Sequence, residues 1–258
     1  MKNVFRLWCV PFVAAYAVCS TASADVMKYY VTDDTYIDGR APTLNYGAYG
    51  GTKVFINKTA TGQTVSGEPA RALIDLPDTL VSVLGGISTD DLVSVKLMVC
   101  NYGSQSPGTR AFSLHPLTRS FVEGTGLKAG VAGTGATWNT YDGVNSWTTA
   151  GGDYDTVHYV DLGLHDPATW YAFDITSMLN NRADPNETRS NLLSHGLLLK
   201  IDESSSTGTL GHNFASSDND DTTIRSYFEV TTIPEPASFL LLATGLPVMW
   251  WLRKKRVA

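Results

Sequence analysis

The chain has 258 residues, of which 43% are hydrophobic and 17% charged, and its formal net charge at pH 7 is −6. An acidic chain repels polyanions, which argues against nucleic acid as a partner and weakens the case for an acidic polysaccharide as a ligand. Two terminal segments have features of their own, and the body between them, residues 25–232, has the length of one all-β domain.

Residues 1–24 have the features of a secretory signal peptide. They contain the cations Lys2 and Arg6, an apolar run over 7–18 and the small-residue cleavage site Ala22-Ser23-Ala24. We therefore predict export and a mature chain that begins at Asp25. Cys19 raises the alternative of a lipoprotein. Val18 stands directly before it, where Gly or Ala is normally needed, so we predict no lipidation.

The body consists of short runs rich in β-forming residues, separated by Gly, Asn, Asp, Ser and Pro. The predicted strands are 26–31, 53–57, 70–76, 93–100, 111–117, 156–161, 171–175, 196–201, 209–214 and 226–231. Only 176–181 has a helical pattern, and it is barely two turns long. About ten strands without alternating helices favour an all-β sandwich over a βαβ fold.

Short motifs run through the body in a fixed order. They are Asp34-Thr35-Tyr36-Ile37-Asp38, Asn45-Tyr46-Gly47, Arg71-Ala72-Leu73-Ile74-Asp75-Leu76, Phe121-Val122-Glu123-Gly124-Thr125-Gly126, Ala136-Thr137-Trp138-Asn139, Trp147 with Gly151-Gly152-Asp153, and Trp170-Tyr171-Ala172-Phe173-Asp174-Ile175-Thr176. In this order they resemble the DNRLRE-domain family, which is related to jelly-roll carbohydrate-binding modules. The resemblance implies a jelly-roll-type β-sandwich. Phe121 and Ser226 depart from the family pattern, which usually has Trp and Pro there.

Polysaccharide binding would use aromatic rings against sugar faces, flanked by hydrogen-bonding groups. The candidates are Tyr46, Tyr49, Trp138, Tyr141, Trp147 and Tyr154. The last four lie in or beside a long Gly-rich segment, 124–152, and a loop of this length is usually functional or anchored by its own side chains. For Trp138 and Trp147 we favour the alternative of burial beneath that loop. Tyr46 and Tyr49, which glycines flank, are predicted to be exposed.

Two acidic clusters are candidates for a structural calcium site, since Ca²⁺ takes oxygen ligands from carboxylates and carbonyls. They are Asp33, Asp34 and Asp38 near the start of the body, and Asp218, Asp220 and Asp221 near its end. The first and last strands of a jelly roll commonly neighbour one another, so the clusters are expected to meet. Jelly-roll carbohydrate modules often hold calcium, which the resemblance adds. The alternative, a solvated acidic turn, carries more weight.

No residue pattern points to a catalytic centre. The five histidines show no metal-ligand spacing, and the sequence has no Gly-x-Ser-x-Gly elbow and no phosphate loop. Asp153 and Asp155 would share one strand face, which is more often a solvated edge than an acid/base pair. Cys100 lies in a strand-like run and is predicted to be a buried apolar residue, with a catalytic thiol as the alternative. We therefore predict a body that is not an enzyme.

The last 26 residues, 233–258, have three parts. They are the signature Pro234-Glu235-Pro236, an apolar run over 239–252, and the cations Arg253, Lys254, Lys255 and Arg256. This order resembles the PEP-CTERM sorting tail of Gram-negative bacteria. The resemblance implies recognition by an exosortase, a membrane processing enzyme, transient insertion in the inner membrane as a transmembrane segment, and delivery to the cell surface or extracellular matrix. The alternative is a permanent anchor, but the run has 14 residues against about 20 for a free-standing transmembrane helix.

The body without the two terminal segments is more acidic than the full chain. Six of the 19 Lys and Arg but only one of the 25 Asp and Glu lie in them, so the body carries about −11. The sequence therefore predicts an exported surface or matrix protein with one acidic, polysaccharide-binding sandwich. Two alternatives stay open: a polysaccharide-degrading enzyme on a β-sandwich, and a purely structural matrix protein.

Overall fold

A computed structural model describes residues 24–58, 69–87, 92–104, 110–127, 135–165, 169–180, 187–203 and 208–233. Ala24–Ile233 forms one compact unit. The signal peptide predicted at 1–24 and the sorting tail predicted at 233–258 lie outside the described residues, apart from Ala24 and Ile233. Within the described ranges, no helix has the length and apolar character needed to cross a membrane.

These ranges contain eleven β-strands and three helices. The strands are β1 (Asp25–Tyr30), β2 (Asp34–Asp38), β3 (Gly51–Lys58), β4 (Ala70–Ile74), β5 (Leu92–Ser104), β6 (Arg110–Pro116), β7 (Val160–His165), β8 (Trp170–Asp174), β9 (Leu197–Ile201), β10 (Gly208–Ala215) and β11 (Tyr227–Thr232). The helices are α1 (Asp78–Gly86), α2 (Thr176–Leu179) and α3 (Glu187–His195). The predicted all-β class is confirmed.

The strands form two antiparallel sheets that share one long strand. The first sheet contains β1, β11, β5 and β8. The second runs β10-β3-β4-β9-β6-β7, and β2 pairs with β4. β5 belongs to both sheets, because its residues 92–98 pair with β11 whereas its residues 101–104 pair with β10. A strand that changes sheets in this way joins the two layers covalently along one edge.

Most predicted strands are confirmed, and the exceptions have physical reasons. The strand predicted at 156–161 begins only at Val160, because the Asp155 carboxylate accepts hydrogen bonds from the backbone N–H groups of Val157 and His158 and closes a turn. The sequence pattern does not predict α1, α3 or β2 as regular elements. Helix α1 is nine residues long, too short to be stable alone, and two leucines four residues apart hold it against the core.

The largest hydrophobic core lies between the two sheets. Alternate residues of each central strand enter it, as the period of two in a strand requires. From the first sheet they are Val95, Leu97, Val99, Phe173, Phe228 and Val230; from the second, Ala72, Ile74, Phe112, Leu114, Leu197, Leu199, Ile201 and Phe214. Leu80 and Leu84 of α1 and Met178 and Leu179 of α2 belong to the same cluster.

A second, smaller core covers part of the outer face of the second sheet. Ile37, Leu73 and Leu198 point outward from β2, β4 and β9. Residues of 117–127 and 135–155, which together we call the covering segment, pack on them, namely Leu117, Ala136, Trp138 and Trp147. We call this region the covered half of the outer face. The rest, which carries Ser113 and His115 of β6, Lys200 of β9 and Asp161 of β7, is the open half.

The Asn45 side chain fixes the path of the covering segment. Its amide nitrogen donates to the carbonyl oxygens of Glu123 and Ala136 at 2.6 and 2.8 Å. Its amide oxygen accepts from the backbone N–H groups of Gly47 and Gly126 at 3.2 and 2.7 Å. One buried amide therefore satisfies four backbone groups of loops that would otherwise lack partners.

Candidate functional site

The open half carries a row of polar side chains on three adjacent strands. Ser113 of β6 pairs in register with Lys200 of β9 on one side and with Asp161 of β7 on the other. Successive residues of a strand point to opposite faces, so these side chains point away from the core that Phe112 and Leu114 enter. The row therefore places a hydroxyl between a cation and an anion on an outer surface.

A groove of about 510 Å³ runs over this row. Its walls include Ser113, His115, Tyr154, Tyr159, Asp161, Lys200 and Asp202. A second cavity, of about 370 Å³, continues it toward the covered half, because Tyr154 and Thr156 line both. Arg71, Arg119 and Asp153 line this second part. We call the two cavities together the outer groove.

Arg71 lies where the outer groove meets the covered half. Its guanidinium makes a two-point ion pair with the Glu203 carboxylate, at 2.8 and 2.9 Å, and donates to the carbonyl oxygen of Gly151 at 2.6 Å. It also lies 4.9 Å from the centre of the Trp138 ring. A buried, paired and stacked guanidinium fixes neighbouring chain segments, so Arg71 joins β4 to the covering segment.

The charges along the outer groove are largely paired. Arg119 contacts the Asp153 carboxylate at 3.1 Å, and the Lys200 ammonium lies 3.7 Å from the Glu203 carboxylate. Burial raises the pKa of Asp153, but hydrogen bonds from the backbone N–H groups of Thr148 and Thr149 outweigh it and lower the pKa. The groove is therefore polar and mixed in sign, although the body as a whole is acidic.

His115 lines the groove but is itself buried, and both of its ring nitrogens are bonded. Nδ1 lies 2.8 Å from the carbonyl oxygen of Asp155, and Nε2 lies 2.9 Å from the hydroxyl oxygen of Ser113. A carbonyl oxygen only accepts, so Nδ1 carries the proton; Nε2 of the neutral ring then accepts from the Ser113 hydroxyl. Burial lowers the pKa of His115, and the charges of Lys200 and Arg71 lower it further. His115 is therefore neutral near pH 7.

Two tyrosines flank His115. Tyr159 stacks on the imidazole, with ring centres 4.5 Å apart and planes 20° apart, and it remains 43% exposed. Tyr154 meets the imidazole at 4.9 Å and 66°, close to edge-on. The groove thus has an accessible aromatic surface beside several donors and acceptors.

The predicted aromatic candidates lie in different surroundings. Trp138 and Trp147 are buried in the covered half, which confirms the favoured alternative, and the Trp147 indole N–H donates to the carbonyl oxygen of Thr137 at 2.9 Å. Tyr154 lines the outer groove. Tyr141 is half-buried, edge-on to Trp147 and under the Arg119 guanidinium.

The prediction that Tyr46 is exposed is wrong. Its side chain is 6% exposed and stacks on Tyr36, with ring centres 4.1 Å apart and planes 18° apart. Tyr49 is half-buried and lies edge-on to Tyr36, at 6.1 Å between ring centres. The flanking glycines allow the chain to turn inward over β2 rather than present these rings to solvent, because Gly47 contacts the backbone of the segment that begins at Glu123.

The two predicted acidic clusters meet only in part. Asp34 is buried, and its carboxylate accepts hydrogen bonds from the backbone N–H and the hydroxyl of Ser217, next to Asp218. Asp38 lies four residues along β2 and is ion-paired to Arg40 at 2.8 Å, so it does not join Asp34. Asp220 is exposed. Across the described ranges, no three His, Cys, Asp or Glu side chains are grouped as a metal site requires.

Glu123 joins Asp34 instead. A Glu123 carboxylate oxygen accepts the backbone N–H of Asp34 at 2.9 Å. Burial raises the pKa of Glu123 to about 7, and the negative charges of Asp33 and Asp218 add to the shift. Burial likewise raises the pKa of Asp34. This cluster lies beside a third cavity, of about 560 Å³, which is lined by Tyr30, Val31, Thr32, Ser217, Asp218, Thr222 and Arg225.

Cys100, the remaining candidate nucleophile, is buried. Burial raises the pKa of its thiol, with a smaller contribution from Asp221. A buried thiol with a raised pKa forms little thiolate, which is the reactive form. Cys100 therefore packs as a small apolar side chain of β5.

The sequence reasoning missed Ser113, His115, Tyr159, Asp161, Lys200 and Asp202. A signal for two of them exists, because alternation in β6 places Ala111, Ser113 and His115 on the face opposite Phe112 and Leu114. A histidine and a serine on the outer face of an otherwise buried strand indicate a polar surface there. Tyr159 directly precedes β7 and Asp202 directly follows β9, and neither position carries such a signal.

Comparisons with known proteins add no family to this geometry. No protein-family model matches the chain, and a search of curated proteins found no match.

Proposed function

We propose that the protein is an exported cell-surface or extracellular-matrix protein whose β-sandwich binds a polysaccharide in the outer groove. The observation that carries the proposal is the exposed Tyr159 ring, stacked on His115 beside the polar row of Ser113, Lys200 and Asp161. Sugars present apolar C–H faces to aromatic rings and hydroxyl groups to polar side chains. A groove of this composition offers both.

The charge pattern favours a neutral polysaccharide. The body carries about −11, which repels anionic chains at long range. Inside the outer groove, Arg71 and Arg119 are paired with Glu203 and Asp153, so neither is an open site for an acidic sugar. Ion-paired side chains keep their hydrogen-bond donors and acceptors in fixed positions, where they can bind the hydroxyl groups of a neutral sugar.

The body and the tail extend the proposal. We propose that the body is a jelly-roll-type sandwich related to the DNRLRE-domain family, because its motifs from Asp34 to Thr176 occur in the order of that family.

We propose that the tail 233–258 inserts briefly in the inner membrane and is processed by an exosortase near Pro234-Glu235-Pro236. Mass spectrometry of the chain from cells and culture medium tests this. Ala258 at the end of the main species would contradict processing.

Affinity gels and glycan arrays test the binding site with two matched tyrosine variants. Tyr159→Ala removes the exposed ring of the outer groove, whereas Tyr30→Ala removes a ring that is 54% exposed in the third cavity. We expect Tyr159→Ala to weaken retention of the protein on its polysaccharide about tenfold, since loss of one stacked ring costs about 1.4 kcal/mol. Tyr30→Ala should leave retention unchanged.

Three other outcomes would change the proposal. Loss of retention in Tyr30→Ala alone would move the site to the third cavity. Release of reducing ends from the polysaccharide would favour a polysaccharide-degrading enzyme. No retention on any glycan would favour a purely structural matrix protein.

A further inference from the structure

Ser113 and His115 have the geometry of a nucleophile and its base. They lie two residues apart on β6, so both side chains point into the outer groove. The Ser113 hydroxyl oxygen is 2.9 Å from His115 Nε2, and His115 Nδ1 is held at 2.8 Å by the carbonyl oxygen of Asp155. We propose that this pair hydrolyses acyl esters bound in the outer groove.

The tautomer of His115 sets the direction of the hydrogen bond between the two side chains, with Ser113 as the donor. Because the Asp155 carbonyl fixes the proton on Nδ1, Nε2 presents a lone pair to the Ser113 hydroxyl. A nucleophilic serine needs this arrangement: a neutral base within hydrogen-bond reach, oriented by a third group. Asp155 is held in turn, since its carboxylate accepts from the backbone N–H groups of Val157 and His158.

In a second serine–histidine pair of the protein, the serine does not donate its proton to the histidine. The Ser120 hydroxyl oxygen is 2.7 Å from His195 Nδ1, but the hydroxyl also donates to the carbonyl oxygen of Ser194 at 3.1 Å. Its proton is therefore directed to the carbonyl, and His195 donates to the serine oxygen. Ser120 is also exposed and lines neither part of the outer groove. The contrast supplies a matched control.

The reaction has two balanced steps. In the first, the Ser113 oxygen bonds to the ester carbonyl carbon and its proton moves to His115 Nε2. The bond from that carbon to the alcohol oxygen breaks, and the proton passes from Nε2 to the leaving oxygen. In the second, water attacks the acyl-serine, gives a proton to Nε2, and releases a carboxylic acid as Ser113 regains its proton. No cofactor or oxidant is needed.

Lys200 is placed to stabilise the charge that develops. It pairs in register with Ser113 on the adjacent strand, and both line the same groove. An ammonium near the carbonyl oxygen favours the negatively charged tetrahedral intermediate over the neutral ester. Lys200 is half-buried, and its Nζ lies 3.7 Å from the Glu203 carboxylate, so its position is restrained.

The substrate class follows from the groove and rests on the proposed function. If the outer groove holds a polysaccharide, the ester is an acyl group on a sugar hydroxyl, and the glycosidic bonds stay intact. The products are a short-chain carboxylic acid and the free hydroxyl. The protein would then remove acyl substituents from the polysaccharide it retains.

Covalent labelling tests the nucleophile without any variant. Purified protein from cells that express the full chain is treated with a fluorophosphonate, and peptides are mapped by mass spectrometry. We expect one phosphonylated residue, Ser113, with loss of fluoride. Labelling of Ser120 at an equal rate, or no label on Ser113, would overturn the proposal.

Hydrolysis of 4-nitrophenyl acetate tests the pair kinetically. We expect Ser113→Ala and His115→Gln each to lower the rate about 100-fold or more, and Ser120→Ala to leave it unchanged. Equal rates in wild type and Ser113→Ala would reject the role of Ser113. Melting temperatures of all variants, measured in parallel, identify one that fails to fold, and the labelling result stands without them.

Glycan retention separates this inference from the proposed function. Retention of the wild-type protein on the polysaccharide is measured beside labelling and hydrolysis, and Ser120→Ala, which lies outside the outer groove, should be retained like wild type. Ester hydrolysis without retention would disprove polysaccharide binding and leave an esterase for other substrates. Retention without labelling or hydrolysis would disprove the esterase and leave the binding site.

Discussion

The covered and open halves of the second sheet's outer face contain similar residues but differ in how far those residues are exposed to solvent. Both combine aromatic rings with a cation: Trp138 with Arg71 in one, and Tyr159 near Lys200 in the other. In the covered half the covering segment packs its own rings against the sheet, so that Trp147 is 4% exposed, whereas Tyr159 is 43% exposed. Composition alone therefore does not decide which half stays exposed. The path of the covering segment does.

The largest expected effect is loss of the covered core. Trp147→Ala should lower the free energy of unfolding by about 3–5 kcal/mol, because it removes a large buried ring and leaves the Thr137 carbonyl without its donor. Tyr159→Ala in the open half should cost less than about 1 kcal/mol. Urea denaturation of both variants measures the difference. Equal losses would show that the two halves are not distinct.

The next largest effect on stability is expected at the seam, by which we mean the contact of Gly151 with Arg71 and Trp138 where the two halves meet. A Cβ on Gly151 would lie 2.6 Å from the Arg71 guanidinium and 2.7 Å from the Trp138 ring, and its φ is +92°. Gly163 of β7, in the open half, has φ +62° but no atom within 4 Å of such a Cβ. We expect about 3 kcal/mol of destabilisation for Gly151→Ala and about 1 kcal/mol for Gly163→Ala. Denaturation midpoints that move equally would mean that the seam is loosely packed.

A smaller effect concerns how Glu123 ties the covering segment to β2. Its folded pKa of about 7 lies above the value of an exposed glutamate, so the folded state binds more protons between about pH 4.5 and 7. The stability that the protonated carboxyl contributes is fully present below this window and is lost as the pH rises through it. We expect a loss of about 1–2 kcal/mol between pH 5 and 8.

Glu123→Gln separates this effect from other groups. Asp34, with a raised pKa, acts in the same direction, and His115, with a lowered pKa, acts in the opposite one. Both are present in wild type and variant. The difference between the two stability curves across pH 5 to 8 therefore reports Glu123 together with its charge interaction with Asp34. A variant curve parallel to that of wild type would contradict its burial.

The smallest expected effect is that of calcium. Asp38 is ion-paired to Arg40 and separate from Asp34, so the predicted ligand set is divided. We expect neither added calcium nor a chelator to shift the melting temperature by more than about 1 °C. A rise of several degrees with calcium would show that the protein binds the ion despite this division.

Much of the architecture was accessible from sequence because strand alternation is a local property. The pattern of β5 and β9 predicts both strands, and it places Leu97 and Leu199 in a core between sheets. Helix α1 was not accessible, because its nine residues depend on packing of Leu80 and Leu84 rather than on intrinsic propensity. Tyr154 was found from its position beside a long loop.

The rest of the candidate site depends on strands far apart in sequence. Ser113, Asp161 and Lys200 form one row only because β6 lies between β7 and β9. The sequence around each residue does not indicate that the other two become its neighbours. The same holds for Tyr159, which meets His115 from 44 residues away. Site prediction from aromatic content selected Tyr46, which the fold buries against Tyr36.

The sequence by itself determined the all-β class and the acidic charge of the body, and it favoured the burial of Trp138, Trp147 and Cys100. Hydrophobic period, charge count and motif order are written along the chain, so no folding information is needed to see them. Only the tertiary structure decided which half of the outer face stays open and which hydroxyl faces His115. Those depend on strand order and on the path of the covering segment, which long-range contacts fix.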